Sequence, residues 1–284
     1  MNYKIFLKIL IVLFLMMVVI AQLTDSINYN SLVSFFACFF FTVYCLKKFG
    51  KEQSQAKIFG IIIAARLLIN SYTFYLYFVE SVSGLPYFVM HLLAIASGFL
   101  YLRLKSPVHI LPILLASFFT FFMFFQGWHY WIHRAQHGTF TGRVSYSLPA
   151  KFEAFDESGK LVTEQDFNDK IVLLDFWHSR CGYCFAKFPQ VEQAYQTYKN
   201  DSSVIILAVN KPLEVDKPNQ AFEIIREQGH SFPVVITKDA EMSEKFGVFY
   251  FPVVFVINQM GTIVYKGDIE GAVKIVEGLK RNNL

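Results

Sequence analysis

The sequence predicts two domains of different fold class: an all-α membrane domain with about five transmembrane helices, followed by an α/β domain. Of its 284 residues, 54% are hydrophobic and only 17% are charged, which is too apolar for an ordinary soluble protein. The long apolar runs lie near the N-terminus, and charged residues return to their usual frequency from Lys151 onward. We therefore predict a membrane domain at 1–127, a juxtamembrane linker at 128–150 and an extracytoplasmic domain at 151–284.

Five apolar stretches come close to the roughly 20 residues that a helix needs to cross a bilayer. The first stretch, which has Lys4 and Lys8 at its start, also fits a signal peptide. Its length and the poor cleavage site at its end favour a retained helix. The five predicted spans are Ile5–Leu23, Ser31–Leu46, Ile58–Val79, Leu85–Leu104 and Val108–Phe125.

Basic residues alternate between the short connections of this half. They stand before the first span, between the second and third, and between the fourth and fifth, whereas the other connections carry Asp25 and Glu80. Because cytoplasmic loops are enriched in Lys and Arg, this predicts a cytoplasmic N-terminus. Five crossings then put residues 151–284 on the outer face, which in a bacterium is the periplasmic side of the inner membrane. The lipid bilayer is thus an expected partner, and nucleic acid is not, because the net charge of +4 forms no basic stripe.

Several polar residues and two cysteines lie inside the predicted spans. Arg66 and Asn70 form either an internal polar site or, for Arg66, a side chain that snorkels to the inner interface. Cys38 and Cys45 are seven residues apart on one helix, a separation of about 10 Å that is too long for a disulfide. We interpret both cysteines as core residues.

Three histidines, His129, His133 and His137, recur every four residues after the fifth span and would share one helix stripe. They could bind a metal ion or haem, with or without His91. The alternative is an interfacial helix end, where Trp and Tyr residues are common. We expect no metal site and no cofactor.

Strand and helix patterns alternate in residues 151–284, as in an α/β domain with a mixed sheet. A last apolar pair of runs flanks the turn Asn258–Gly261, which predicts a hairpin. Predicted strands are Ile171–Trp177, Val204–Val209, Phe232–Ile236, Val253–Ile257 and Ile263–Tyr265; predicted helices are Gly182–Lys199, Gln220–Gln228 and Val273–Arg281.

The two cysteines of Cys181-Gly182-Tyr183-Cys184 follow an apolar strand and open a predicted helix. Backbone N–H groups and the helix dipole at such a junction favour a thiolate, so the motif predicts a redox dithiol. A zinc site with this spacing needs two more ligands, and His178 alone cannot supply them. A purely structural bridge is the other alternative, although so short a loop gains little from chain entropy.

Residues 151–284 resemble the thioredoxin fold, and more closely the membrane-anchored thioredoxin-like disulfide reductases of the TlpA/ResA group. The resemblance covers nearly half of the chain, and we identify no family for the membrane half. The residues that carry it are Asp175-Phe176-Trp177, the Cys181–Cys184 motif, Pro189, Phe246-Gly247-Val248, the run from Phe251-Pro252 to Asn258, and Gly261.

This resemblance implies catalytic roles for four residues. Cys181 would attack a substrate disulfide, and Cys184 would release the mixed disulfide. Pro252 would be a cis-proline that faces the dithiol, and Asp175 would be a buried acid that takes a proton from Cys184. Phe251, Trp177 and Tyr183 would contact the substrate.

Asp175 stands where many members of this group have asparagine, and two basic residues lie near the dithiol. Lys187 stands where a glutamate is frequent, and Arg180 directly precedes the dithiol. Positive charge lowers the pKa of a nearby thiol and makes the couple more oxidising, so we expect both to tune the pKa of the dithiol. Tyr183 also departs from thioredoxin, and Gly182-Tyr183 is similar to the dipeptide of a bacterial disulfide isomerase.

The predicted function is therefore a membrane-tethered thiol–disulfide oxidoreductase that reduces or isomerises disulfides of exported cysteine-containing proteins, such as apocytochrome c. A dithiol outside the cytoplasm needs a supply of electrons, for which we expect a membrane electron donor. Two alternatives stay open. One is a thiol peroxidase of the peroxiredoxin type, although His178 replaces the threonine expected three residues before its cysteine. The other is an accessory redox domain of a membrane transporter or scaffold.

Overall fold

The computed structural model describes residues 3–24, 26–76, 82–149, 151–238 and 241–282. The chain divides into two compact units, Met1–Ile132 and His133–Leu284. The described part of the first unit is helical, and that of the second unit is built around one sheet.

The helices of the first unit match the predicted spans closely. A final helical run begins with a short 3-10 turn at Val108–Ile110 and includes a π-helical segment at Met123–Gly127. The helices are α1 (Tyr3–Leu23), α2 (Ile27–Phe49), α3 (Gln55–Leu76), α4 (Leu85–Arg103), α5 (Leu111–Phe122) and α6 (Trp128–His137), of which the last crosses the unit boundary.

Four helical segments of the described residues are long and apolar enough to cross a membrane: Tyr3–Leu23, Asn28–Phe49, Leu85–Arg103 and Val108–His137. The predicted span Ile58–Val79 falls on α3, which is 22 residues long and carries Arg66 and Asn70. Residues 77–79 of that span lie outside the described residues. A helical, apolar N-terminal half is thus confirmed, and a count of five crossings stays a prediction.

Arg66 belongs to an internal polar cluster that joins α2, α3 and α4. Its side chain is buried, and its guanidinium donates to His91 Nδ1 (3.1 Å from Nε) and to Asn70 Oδ1 (2.5 Å). His91 in turn reaches Ser34 Oγ through Nε2 (2.7 Å). Of the two interpretations, this arrangement favours the internal polar site over a snorkelling arginine. Buried polar groups need such partners, because an unpaired group in a low-dielectric region is costly.

Cys38 and Cys45 are both buried and unbonded, which confirms that they are core residues of the first unit. His129 is exposed, whereas His133 and His137 are buried with ring centroids 4.7 Å apart. His133 Nδ1 donates to the carbonyl of Thr139 (2.6 Å). No three His, Cys, Asp or Glu side chains of the described residues are grouped so that they could hold a metal ion.

The second unit is an α/β domain with a mixed sheet in the order β1-β8-β7-β4-β5-β6-β2-β3. Strands β4, β5 and β6 are parallel, and β7 and β8 are antiparallel additions. The strands are β1 (Arg143–Ser147), β2 (Glu153–Phe155), β3 (Leu161–Thr163), β4 (Ile171–Trp177), β5 (Val204–Asn210), β6 (Val234–Thr237), β7 (Val253–Ile257) and β8 (Thr262–Gly267). The helices are α7 (Gly182–Tyr198), α8 (Gln220–Glu227), α9 (Met242–Lys245) and α10 (Ile269–Asn282), with a 3-10 turn at Glu164–Phe167.

The central strand β4 is buried along its whole length because the sheet is covered on both faces. Alternate side chains of a strand point to opposite faces. Leu173 and Trp177 therefore pack in one core cluster with Phe188 of α7, and Leu174 and Phe176 pack in another. This packing makes β4 a rigid base for the loop that follows it.

Residues 128–150, predicted as a linker, contain α6 and β1, and β1 pairs with β8 at the edge of the sheet. Only one of its five side chains is even half-buried. Its sequence alternates polar and apolar residues, but only Val144 and Tyr146 are apolar, and so short a pattern did not predict a strand. The functional domain boundaries stay a prediction.

Candidate active site

The dithiol lies where β4 passes into α7, as the sequence predicted. Cys181 is the N-cap of α7, its sulfur accepts from the backbone N–H of Cys184 (3.1 Å), and its own N–H donates to the carbonyl of His178 (3.1 Å). The helix N-terminus concentrates unpaired N–H groups and positive potential at this cap. The position therefore stabilises negative charge on Cys181 once the disulfide is reduced.

Cys181 and Cys184 are joined by a disulfide in this structure, with Cα atoms 5.2 Å apart. Cys181 retains 7% of its surface, whereas Cys184 has none. A solvent-borne thiol or disulfide can therefore reach Cys181 first. This asymmetry supports the predicted division into an attacking and a resolving cysteine.

Pro252 lies at the same edge of the sheet as the dithiol. Strand β7 runs antiparallel beside β4 with Val253 opposite Phe176, so Pro252 falls next to the end of β4. The Phe251–Pro252 peptide bond is cis, as predicted. Phe251 is half-buried and its ring meets the His178 ring edge-on, with centroids 4.9 Å apart.

The three predicted substrate contacts differ in exposure. Tyr183 is 82% exposed and Phe251 is half-buried, so both can meet a substrate. The prediction for Trp177 was wrong, because this side chain has no exposed surface. Its indole packs against Phe188 (5.1 Å between centroids) and Phe185, and it supports the loop from below.

Asp175 is buried in β4, two residues before Trp177, and the strand alternation puts it on the sheet face that α7 and Cys184 cover. Burial raises its pKa to about 8 because a charged carboxylate loses its hydration there. An acid of this kind can hold a proton at neutral pH and exchange it with a nearby thiol. This environment supports the predicted role, which stays a prediction.

The two predicted tuning residues have different surroundings. Arg180 is exposed and directly precedes Cys181. Lys187 forms an ion pair with Glu270 of α10, and both side chains are partly exposed. The carboxylate offsets much of the lysine's field, and exposed pairs of this kind contribute little energy. We therefore expect Arg180 to influence the dithiol more than Lys187.

One residue at the site was not recognised as functional from the sequence. His178 is half-buried between the dithiol turn and Phe251, and its Nδ1 accepts from the N–H of Arg180 (3.2 Å). The next residue, Ser179, donates to Asp216 (2.5 Å), which holds the loop after β5 against this turn. The sequence feature that could have identified His178 is its position as a titratable residue in the turn before the first cysteine.

A family model described as "AhpC/TSA family" matches residues 146–266. Two similar relatives are both named thiol-disulfide oxidoreductase ResA. That of Bacillus thuringiensis subsp. konkukian is 31% identical over 114 residues, which cover 40% of this chain and 63% of the relative. That of Bacillus subtilis is 30% identical over 128 residues, which cover 44% of this chain and 69% of the relative.

The match to the Bacillus thuringiensis relative thus spans less than two thirds of that protein's length.

Among solved structures, StoA from Bacillus subtilis is similar with a TM-score of 0.39 and 21% identity, over 45% of this chain and 98% of StoA. The thioredoxin domain of an oxidoreductase from Bacteroides vulgatus has a TM-score of 0.42 and 23% identity, over 48% of this chain and 96% of that domain.

Proposed function

The chain belongs to the family of the thiol-disulfide oxidoreductase ResA, and on this premise we propose that it exchanges disulfides with client proteins through Cys181 and Cys184. One observation carries the proposal: the pair caps a helix, and only Cys181 has surface to meet a client. A purely structural bridge would need neither the helix N-terminus nor this asymmetry.

The direction that we propose is reduction or isomerisation of disulfides in exported cysteine-containing proteins, among them apocytochrome c. The clients meet Cys181 beside Tyr183 and Phe251, which have surface for an extended chain. Asp175 would accept and return the proton of Cys184 during release. Because each reductive cycle leaves the pair oxidised, a membrane electron donor restores the dithiol.

We propose that the first unit spans the bacterial inner membrane with its N-terminus in the cytoplasm, and that the dithiol faces the extracytoplasmic side. The long apolar helices and the alternation of basic residues between connections support this topology. The bilayer is thus the anchor that keeps the oxidoreductase near exported clients.

A thiol peroxidase remains the second candidate, because the family model that matches residues 146–266 carries the AhpC/TSA description. The two functions share an attacking cysteine and differ in the oxidant, which is a client disulfide in one and a peroxide in the other. Relative rates with the two oxidants therefore separate them.

Membrane vesicles of known orientation test function and topology together. Right-side-out and inverted vesicles are reduced with dithiothreitol, desalted and mixed with a charged peptide disulfide that cannot cross the bilayer. We expect right-side-out vesicles to reduce the peptide at once, and inverted vesicles to do so only after detergent is added. A Cys181→Ala/Cys184→Ala chain is the negative control, and a Cys38→Ala/Cys45→Ala chain should behave as wild type because those thiols are buried.

The outcomes are separable. If only inverted vesicles reduce the peptide, the oxidoreductase activity would be supported and the proposed topology would be contradicted, because the dithiol would face the cytoplasm. Detergent-treated wild type that reduces no peptide would contradict the oxidoreductase, and faster oxidation by hydrogen peroxide than by the peptide would favour the peroxidase.

A further inference from the structure

His178 and Cys181 are the first and last residues of one tight turn. The N–H of Cys181 donates to the carbonyl of His178 (3.1 Å), and the two residues between them complete the turn. The Cα atoms of such a pair lie less than about 7 Å apart. His178 therefore belongs to the same turn as the attacking cysteine, and its ring lies against Phe251, one of the predicted substrate contacts.

Two contacts fix the imidazole. The Nδ1 atom accepts from the N–H of Arg180 (3.2 Å), and the ring lies edge-on against Phe251 at a centroid distance of 4.9 Å and an angle of 81°. A nitrogen that accepts carries no proton, so the neutral ring has its proton on Nε2. Within the described part of the chain no group bonds Nε2, and the residue is only half-buried.

Charged groups of both signs face this ring. Lys211 follows β5, and its N–H donates to the carbonyl of Trp177 (2.8 Å), directly before His178. Asp216 is held by Ser179 and by the N–H of Leu213 (2.9 Å). Burial lowers the pKa of His178, Asp216 opposes this and Lys211 adds to it. The fraction of His178 in the imidazolium form therefore increases as the pH falls below neutrality.

We propose that His178 is a general acid, which protonates the client thiolate that leaves when Cys181 attacks a client disulfide. The thiolate of Cys181 forms a bond to one client sulfur, and the client S–S bond breaks. The other client sulfur leaves with the electron pair and takes the proton from Nε2 of the imidazolium. The imidazolium carries a proton on each nitrogen, so in that form Nδ1 does not accept from Arg180. Donation from Nε2 leaves a neutral ring with its proton on Nδ1. Nε2 then regains a proton from water, and loss of the Nδ1 proton to water restores the resting ring and its bond from Arg180.

This inference rests on the proposed function. It predicts that the contribution of His178 to the rate depends on the pKa of the client thiol that leaves. An alkyl thiol has a pKa of about 8.5 and leaves poorly as a free thiolate, so it gains from an acid. An aromatic thiol of low pKa leaves without a proton. His178 should therefore matter for cysteine disulfides and not for activated aromatic ones.

The test compares two disulfide probes with the reduced full-length chain in detergent. One probe is 5,5′-dithiobis(2-nitrobenzoate), whose leaving thiol is acidic, and the other is a peptide cystine. In His178→Asn the amide oxygen can still accept from Arg180, but the residue cannot titrate. We expect its rate with the peptide cystine at slightly acidic pH to fall about a hundredfold, within the usual range of general acids, and its rate with the aromatic probe to stay unchanged.

The pH profile is a second readout. For the wild type, the ratio of the rate with the peptide cystine to the rate with the aromatic probe should decline as the pH rises through the pKa of His178. This decline should be absent in His178→Asn. Ser179→Ala keeps the imidazole and removes one bond that holds Asp216, whose carboxylate opposes the effect of burial on the pKa of His178. The decline should therefore persist in this variant, with its midpoint at lower pH. Equal losses with both probes would mean a structural role and overturn the proposal, as would no loss with either. A wild-type chain inert to both probes would instead contradict the oxidoreductase itself.

Discussion

A Cys184→Ala chain will accumulate a covalent adduct between Cys181 and its client, and a Cys181→Ala chain will form none. The reason is geometric: Cys184 has no exposed surface, whereas Cys181 has 7% and caps α7. Without Cys184 the mixed disulfide has no internal thiol to release it, and turnover falls to background. Acid quenching followed by mass spectrometry of non-reduced peptides measures the adduct and its site.

The matched pair of variants makes this result informative. Both remove one thiol and the same disulfide, so a general loss of stability would affect them alike. An adduct on Cys184 in the Cys181→Ala chain would reverse the assigned roles, and adducts on neither would contradict client exchange.

An Asp175→Asn chain will be more stable than wild type at pH 8 and will gain little at pH 4. The folded pKa of Asp175, about 8, lies above its unfolded value of about 3.9, so the folded state binds the extra proton between these values. Stability of the wild type therefore falls as the pH rises through this window, by up to 1.36 kcal/mol per pH unit and about 5 kcal/mol in all. Asparagine has no charge to bury and removes that loss.

The same substitution should slow release from Cys181, because Cys184 loses its proton acceptor. Thermal midpoints of the full chain in detergent at pH 4 and pH 8 measure the stability effect, and Asp169→Asn, an exposed change, is the control. A midpoint difference that is equal at both pH values would contradict a buried, proton-binding Asp175.

Much of the second unit follows from local sequence patterns. The apolar runs of β4 and β7 and the Cys181–Cys184 motif predicted a strand–turn–helix site, and the structure has it. Strand β1 escaped prediction because its side chains are mostly exposed and its alternation of polar and apolar residues covers only five positions. Its place in the sheet depends on pairing with β8, about 120 residues later, which a local pattern cannot report.

For the site residues too, the features that the sequence did not predict depend on contacts with residues of other elements. Trp177 was expected to face substrate, but its burial is decided by rings of α7 that pack over it. Lys187 was expected to act as a free charge, but it meets Glu270, 83 residues further along the chain. His178 was weighed only as a metal ligand or a peroxidase mismatch, because its contact with Phe251 appears only in three dimensions. Arg66 is similar, since its partner His91 stands on another helix.

The reduction potential of the Cys181–Cys184 pair in the full-length chain tests the central claim most directly. Equilibration in glutathione or dithiothreitol buffers, with alkylation and mass analysis, should give one two-electron transition that the double-cysteine variant lacks. We predict a midpoint between those of thioredoxin and protein disulfide isomerase, about −270 to −180 mV. A midpoint below about −300 mV would indicate a structural bridge, and one near −120 mV an oxidase, and either would contradict a reductase or isomerase.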